Sequence, residues 1–190
     1  MRYSKDHKAI TRKHLLETSG ALAKEKGFAS TGVDAFVETA GLTSGAFYSH
    51  FGSKAELFTE LVEKELEASV RMFADNAPEL PTPEWIHRQL SVYLSWKHVQ
   101  SPRTGCAVPA LAAEIARSND VTKIKYEDAM KQVHEIWRER LKDDKAAWAV
   151  VSQLVGSVLL ARAMKSEDVG KEILAGSREF LEEVLSGRHV

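Results

Sequence analysis

The stretch TGVDAFVETAGLTSGAFYSHFGSK, residues 31–54, decides the fold. Thr31-Gly32-Val33-Asp34 reads as a capping box opening a short helix from Val33 to Ala40. Gly41-Leu42 is a turn, because glycine takes the left-handed backbone that a tight helix–helix junction needs. A second short helix starts at Thr43 or Ser44 and ends near Phe51-Gly52. Phe47 and Phe51 stand four apart, so both point inward, leaving Ser44, Tyr48 and Ser49 outward with His50 beside them. Two short helices joined by a glycine turn cross steeply, which is how a helix-turn-helix offers its second helix to the DNA major groove. On spacing alone, the same stretch also suits a helical hairpin in any α bundle.

Upstream, Ile10, Leu15 and Leu22 supply one face of a first helix, which stops at Gly27. Downstream, Ser53-Lys54-Ala55-Glu56 is a further capping box, opening a fourth helix that runs to about Asn76. Three prolines between Ala77 and Pro83 forbid a continuous helix there, and Thr82-Pro83 restarts it. Five more helices are predicted, at about 83–100, 105–118, 121–142, 144–165 and 167–186. The expected fold is therefore all-α, with nine helices. Residues 1–57 form the helix-turn-helix domain, helix four continues to about 76 as a connector, and residues 77–190 form a second domain.

Charge divides the same way. The chain carries a net charge of −1, but residues 1–54 hold eight Lys or Arg against five acids. A polyanionic partner suits that half. Exposed Tyr48, His50 and Lys54 are suitable phosphate donors. The one cysteine, Cys106, cannot close an intrachain disulfide, which suits the cytoplasm. No apolar leader follows Met1, and the apolar run from Ala146 to Met164 is broken by Ser152, Gln153, Ser157 and Arg162, so no membrane association is expected. The seven histidines, at 7, 14, 50, 87, 98, 134 and 189, lack metal-ligand spacing. With no phosphate-cradling glycine loop and no nucleophile elbow, neither a metal, a cofactor nor an enzyme is expected.

Taken together, Leu15-Leu16, Leu22, Glu25, Gly27-Phe28, Thr31, Val33, Ala40-Gly41-Leu42-Thr43, Gly45-Ala46-Phe47-Tyr48, His50-Phe51, Ser53-Lys54 and Glu56-Leu57 resemble the N-terminal signature of the TetR family of transcriptional regulators. The resemblance covers about residues 11–60. It implies phosphate contacts from Tyr48, His50 and Lys54, base-edge contacts from Thr43, Ser44 and Ala46, a backbone contact from Thr31, and a basic residue near the DNA in Arg12. Gly32 and Ala35 depart from the family pattern, which weakens the expected contacts at the start of the second helix. It further implies a ligand-responsive repressor that binds a palindromic operator as a homodimer. The eighth and ninth predicted helices, 144–165 and 167–186, would form the dimer contact, and a small-molecule effector would release the DNA. The alternatives are a helical small-molecule-binding or adaptor protein without DNA binding and, last, an enzyme.

Beyond residue 77 an aromatic and polarisable stripe suits core packing as well as a cavity wall. Phe73, Tyr93, Trp96, Cys106, Met130, His134 and Trp137 are the candidate ligand-binding residues, since apolar walls with a few polar handles typify small-molecule sites. The predicted helix 105–118 is the candidate lever between the two domains. Cys106 in its first turn reads foremost as a small buried residue filling space beside the cavity; the alternative is a thiol of lowered pKa, with Arg103 adding to the effect.

Overall fold

A computed structural model describes residues 5–74, 77 and 79–187. They form α1 (Lys5–Lys26), α2 (Val33–Thr39), α3 (Ser44–His50), α4 (Lys54–Ala74), α5 (Thr82–Tyr93), α6 (Trp96–Gln100), α7 (Val108–Ile115), α8 (Asp120–Leu141), α9 (Asp144–Ala163) and α10 (Glu167–Ser186), with no strand among the described residues. The expected nine-helix plan holds, its fifth helix being in two pieces. Leu94 leaves helical geometry at ψ 44°, and the Ser95 side chain then accepts from His98 N to cap α6. The far end of the connector at Asp75 and Asn76, and Pro78 in the break, lie outside the described residues.

Local chemistry explains most boundaries. Gly27 (φ 82°) and Gly41 (φ 66°) adopt left-handed backbone where α1 and α2 end. Asn119, Asp143 and Ser166 cap α8, α9 and α10 through their side chains. Around α4, Ser53 Oγ accepts from Glu56 N (3.0 Å), while the Glu56 carboxylate accepts from Gly52 N (2.8 Å). This is the expected capping box with its return bond shifted one residue upstream. Thr31 makes no such box. Gly32 is the N-cap of α2, without a side-chain bond, and the Thr31 hydroxyl donates to Gly27 O (2.6 Å) instead. Ile10 also departs from expectation, being 68% exposed. Five residues before Leu15, it lies about 140° round the helix from the buried stripe of Leu15, Ser19, Leu22 and Ala23.

In the N-terminal part, Phe28 lies against Phe36 (ring centroids 5.1 Å) and Phe58 (4.5 Å). Phe47 and Phe51 are fully buried beside them. This aromatic core fixes α3 relative to α1 and α4. Helix α4 then lies along α8, which packs on α9, which packs on α10. By length and composition α9 is apolar enough to cross a membrane. Its Ala147, Val150, Leu154 and Val158 are buried in the core against neighbouring helices.

Candidate nucleic-acid interface

Helix α3 stands with its apolar side down and its polar side out. Phe47 anchors it at 0% exposure, while Tyr48 is 67% exposed with its ring edge-on to Phe47 (5.1 Å). Thr43, Ser44 and Ser49 are also exposed and Ala46 is half-buried. An open groove of about 580 Å³ runs between this helix and the start of α1, lined by His7, Lys8, Thr11, Gly41, Leu42, Thr43, Ala46, Ser49 and His50. Sequence reasoning missed His7, Lys8 and Thr11. They come from the first turns of α1, and their one local signal was two basic-type side chains flanking an exposed stretch. The His7 imidazole and the Thr11 hydroxyl are 3.0 Å apart.

The remaining expected contacts divide. Ser44 Oγ donates to Asp34 Oδ1 (2.7 Å), which ties α3 to α2. His50 is half-buried, and burial together with Lys8 and Arg12 pushes its pKa below the usual histidine range. A neutral imidazole beside two cations suits an anion-binding surface, because an arriving phosphate would favour the protonated form. Lys54 sits over the Phe28 ring (4.9 Å) and donates to Ala29 O (3.1 Å), holding the loop after α1.

Two expected contacts are corrected. Thr31 is 6% exposed with its hydroxyl spent on Gly27 O, so it faces inward. Arg12 pairs with Glu60 at 2.5 Å, lies over the Phe51 ring (4.5 Å) and donates to His50 O (3.4 Å). It clamps α1 to α3 and α4, and Glu60 raises its pKa.

The expected ligand set does not line one cavity. Phe73, Tyr93 and Cys106 are buried together, with Phe73 stacked on Tyr93 at 4.9 Å. Trp137 is fully buried against Trp85 (4.8 Å), and is core. Trp96 faces a separate hollow with Lys171, Leu174 and Arg178. His134 stacks on Trp148 (4.4 Å) at the α8–α9 surface. Met130 alone lines the groove of about 660 Å³ beside α8 and α9, with Val108, Tyr126, Trp148, Val151 and Val155. Hydrophobic periodicity identifies inward-facing residues but not which of them surround the same space.

Cys106 takes the buried packing role, and its alternative as a reactive thiol is corrected. It is fully buried just before α7, and burial pushes its thiol up rather than down. Arg103 pairs instead with Glu25 (2.7 Å). Among the described residues no three His, Cys, Asp or Glu side chains converge as a metal site.

The segment from Ser101 to Ser118 holds the N-terminal helices at three places. Lys24 pairs with Glu65 at 2.6 Å and donates to Gly105 O (3.2 Å). Arg103 meets Glu25, and the Glu114 carboxylate accepts from Phe28 N (2.8 Å) and Ala29 N (2.9 Å).

Residues 15–61 match the model of bacterial regulatory proteins, tetR family. That stretch is thus similar to the N-terminal domain of the TetR family. Over 62 residues it is 37% identical to the HTH-type transcriptional regulator AcrR of Shigella flexneri, covering 33% of this chain and 29% of AcrR. It is 31% identical over 74 residues to YfiR of Bacillus subtilis, an HTH-type transcriptional regulator, covering 39% and 36%. These matches thus span about a third of the curated relatives' length. A TetR transcriptional regulator from Chloroflexus aurantiacus superposes with TM-score 0.81 at 21% identity, covering 95% of this chain and 96% of that one. The TetR-like fold therefore extends through α10, well beyond the region of sequence match.

Proposed function

We propose that this chain is a transcriptional regulator that binds operator DNA as a homodimer and releases it when a small molecule occupies the C-terminal part. The observation that carries this reading is α3 itself. Its apolar side is locked into an aromatic core, while Thr43, Ala46, Ser49 and Tyr48 face outward beside an open groove. Tyr48, His50 and Lys54 are the phosphate-contacting groups, Lys54 through the ammonium donors that its bond to Ala29 O leaves over, and Lys8 in the groove wall adds a further cation. Ser44 and Ala46 are too short for bidentate base pairing, so sequence preference leans on thymine methyls, water and DNA shape. The division into a reading domain at 1–57 and a sensing domain at 77–190, joined by α4, and a cytoplasmic location belong to the same proposal.

A dimer through α9 and α10 is supported by the apolar surface these helices leave uncovered. Leu159, Leu160 and Phe180 are each more than half exposed. A Cβ added at Gly156 or Gly176 would meet nothing within 4 Å, leaving space for a partner helix. Two-fold symmetry would set two α3 helices about one DNA turn apart, roughly 34–36 Å. The three ties from residues 101–118 to α1 and the loop after it are the route by which an effector would shift the reading heads. Selection of bound fragments from sheared genomic DNA of the source organism tests the proposal. Enrichment of a palindrome is expected, and recovery of unenriched input would overturn it.

A further inference from the structure

Arg162, in the last turn of α9, donates through Nε to Val99 O (3.3 Å) and through Nη2 to His98 O (3.1 Å). Its third donor group, Nη1, is buried and has no hydrogen-bond partner. Among the described residues no carboxylate pairs with this guanidinium. The groups it interacts with electrostatically are Tyr93 and Cys106. Tyr93 is 2% exposed, and its buried hydroxyl lies by the Cys106 thiol, a weak partner, with no nitrogen or oxygen bonded to it. Buried polar groups are ordinarily satisfied, and a buried cation ordinarily has an anion beside it. Two orphaned donors in electrostatic contact, one of them charged, form a donor set that lacks its acceptor.

The surroundings suggest what enters. Tyr126, on α8, interacts electrostatically with Tyr93 and Cys106 and also lines the apolar groove of about 660 Å³. Val108, two residues beyond Cys106, lines it too. A largely apolar groove therefore has in its wall Tyr126, which lies within electrostatic reach of Tyr93. We propose that Arg162 and Tyr93 anchor the carboxylate of a small apolar acid whose body lies in this groove, with Tyr126 turning aside to admit it. The carboxylate presents two acceptor oxygens to the two donors and balances the half-buried charge. As the effector site, this assignment rests on the regulator reading; as a binding site it stands without it.

Octanoate and benzoate are the probes, with octanol and benzyl alcohol as neutral counterparts, titrated calorimetrically into the full chain in phosphate-free buffer. Saturable binding of at least one acid is expected, and neither alcohol should match it. Tyr93→Phe should fold as well as the parent, since its hydroxyl gives up only the weakly bonding Cys106 thiol, yet bind the acid at least tenfold more weakly, about 1.4 kcal/mol. Arg162→Gln should abolish binding. The assignment is overturned if neither acid binds by about 10 mM, if an alcohol binds as tightly, or if Tyr93→Phe binds unchanged. Operator retention measured on the same preparations separates the two readings. DNA binding without acid binding refutes only the site, and acid binding without DNA binding refutes only the regulator.

Discussion

Replacing Lys24 with methionine probes the contact on which the relation between the two halves depends. The Lys24 side chain is 5% exposed and that of Glu65 12%, with 2.6 Å between their charged atoms. Methionine keeps most of the apolar stem but leaves the Glu65 carboxylate buried without a cation. Breaking a buried pair from one side costs about 3–5 kcal/mol. The lost bond to Gly105 O adds about 1 kcal/mol, and the more apolar side chain returns a similar amount. The net expectation is a loss of about 3–5 kcal/mol, a large share of the roughly 5–15 kcal/mol typical of a folded domain. The double variant Lys24→Met, Glu65→Gln removes both charges and should recover most of that loss, to within about 1–2 kcal/mol of the parent. Urea unfolding at fixed protein concentration, followed by tryptophan fluorescence, measures both. A single variant losing under about 1 kcal/mol, or a double variant worse than the single, would refute a buried, mutually dependent pair.

Gly156→Leu should fold normally, because the monomer leaves open space there, yet shift the protein from dimer to monomer in light scattering at micromolar concentration. An unchanged dimer would place the contact elsewhere. Cys106, fully buried with a raised pKa, should resist a water-soluble aromatic disulfide at pH 8 until urea is added. Prompt stoichiometric reaction in the native protein would contradict that burial. His98 donates through Nδ1 to Tyr93 O (2.8 Å) and accepts from Cys106 N at Nε2 (3.1 Å), so only the neutral imidazole satisfies both bonds. Burial holds its folded pKa below the usual value, so the unfolded chain takes the proton first as pH falls. Its contribution is intact above about pH 6.5 and is lost as pH falls from there towards the folded pKa. His98→Gln should lower Tm at pH 7.5 and flatten its decline between pH 7 and 5.5, whereas a decline parallel to the parent's would assign the acid sensitivity to other groups.

The helix-turn-helix was legible because its determinants are local. Gly27 and Gly41 mark left-handed residues, and the spacing of Phe47 and Phe51 sets which side of α3 is buried. What escaped the sequence depends on partners far along the chain. Arg12 reads as an exposed cation until Glu60, 48 residues on, is brought to it. Glu114 carries no local signal of its bonds to the backbone of Phe28 and Ala29, more than 80 residues back. The aromatic stripe was correctly read as mostly inward-facing, but helical period alone could not separate Trp137 in the core from Met130 at a groove. Thr31 failed for a local reason, its hydroxyl preferring the carbonyl four residues back to the amide ahead.

The claim that α3 and its neighbours grip DNA is tested most directly by the salt dependence of affinity for the selected site, in the parent, Tyr48→Phe and Lys54→Ala, with helicity checked in parallel. The account predicts a steep linear fall of log K with log salt, weaker binding by both variants, and a slope flattened by about 0.9 in Lys54→Ala. Affinity indifferent to salt, with both variants binding as the parent does, would contradict it.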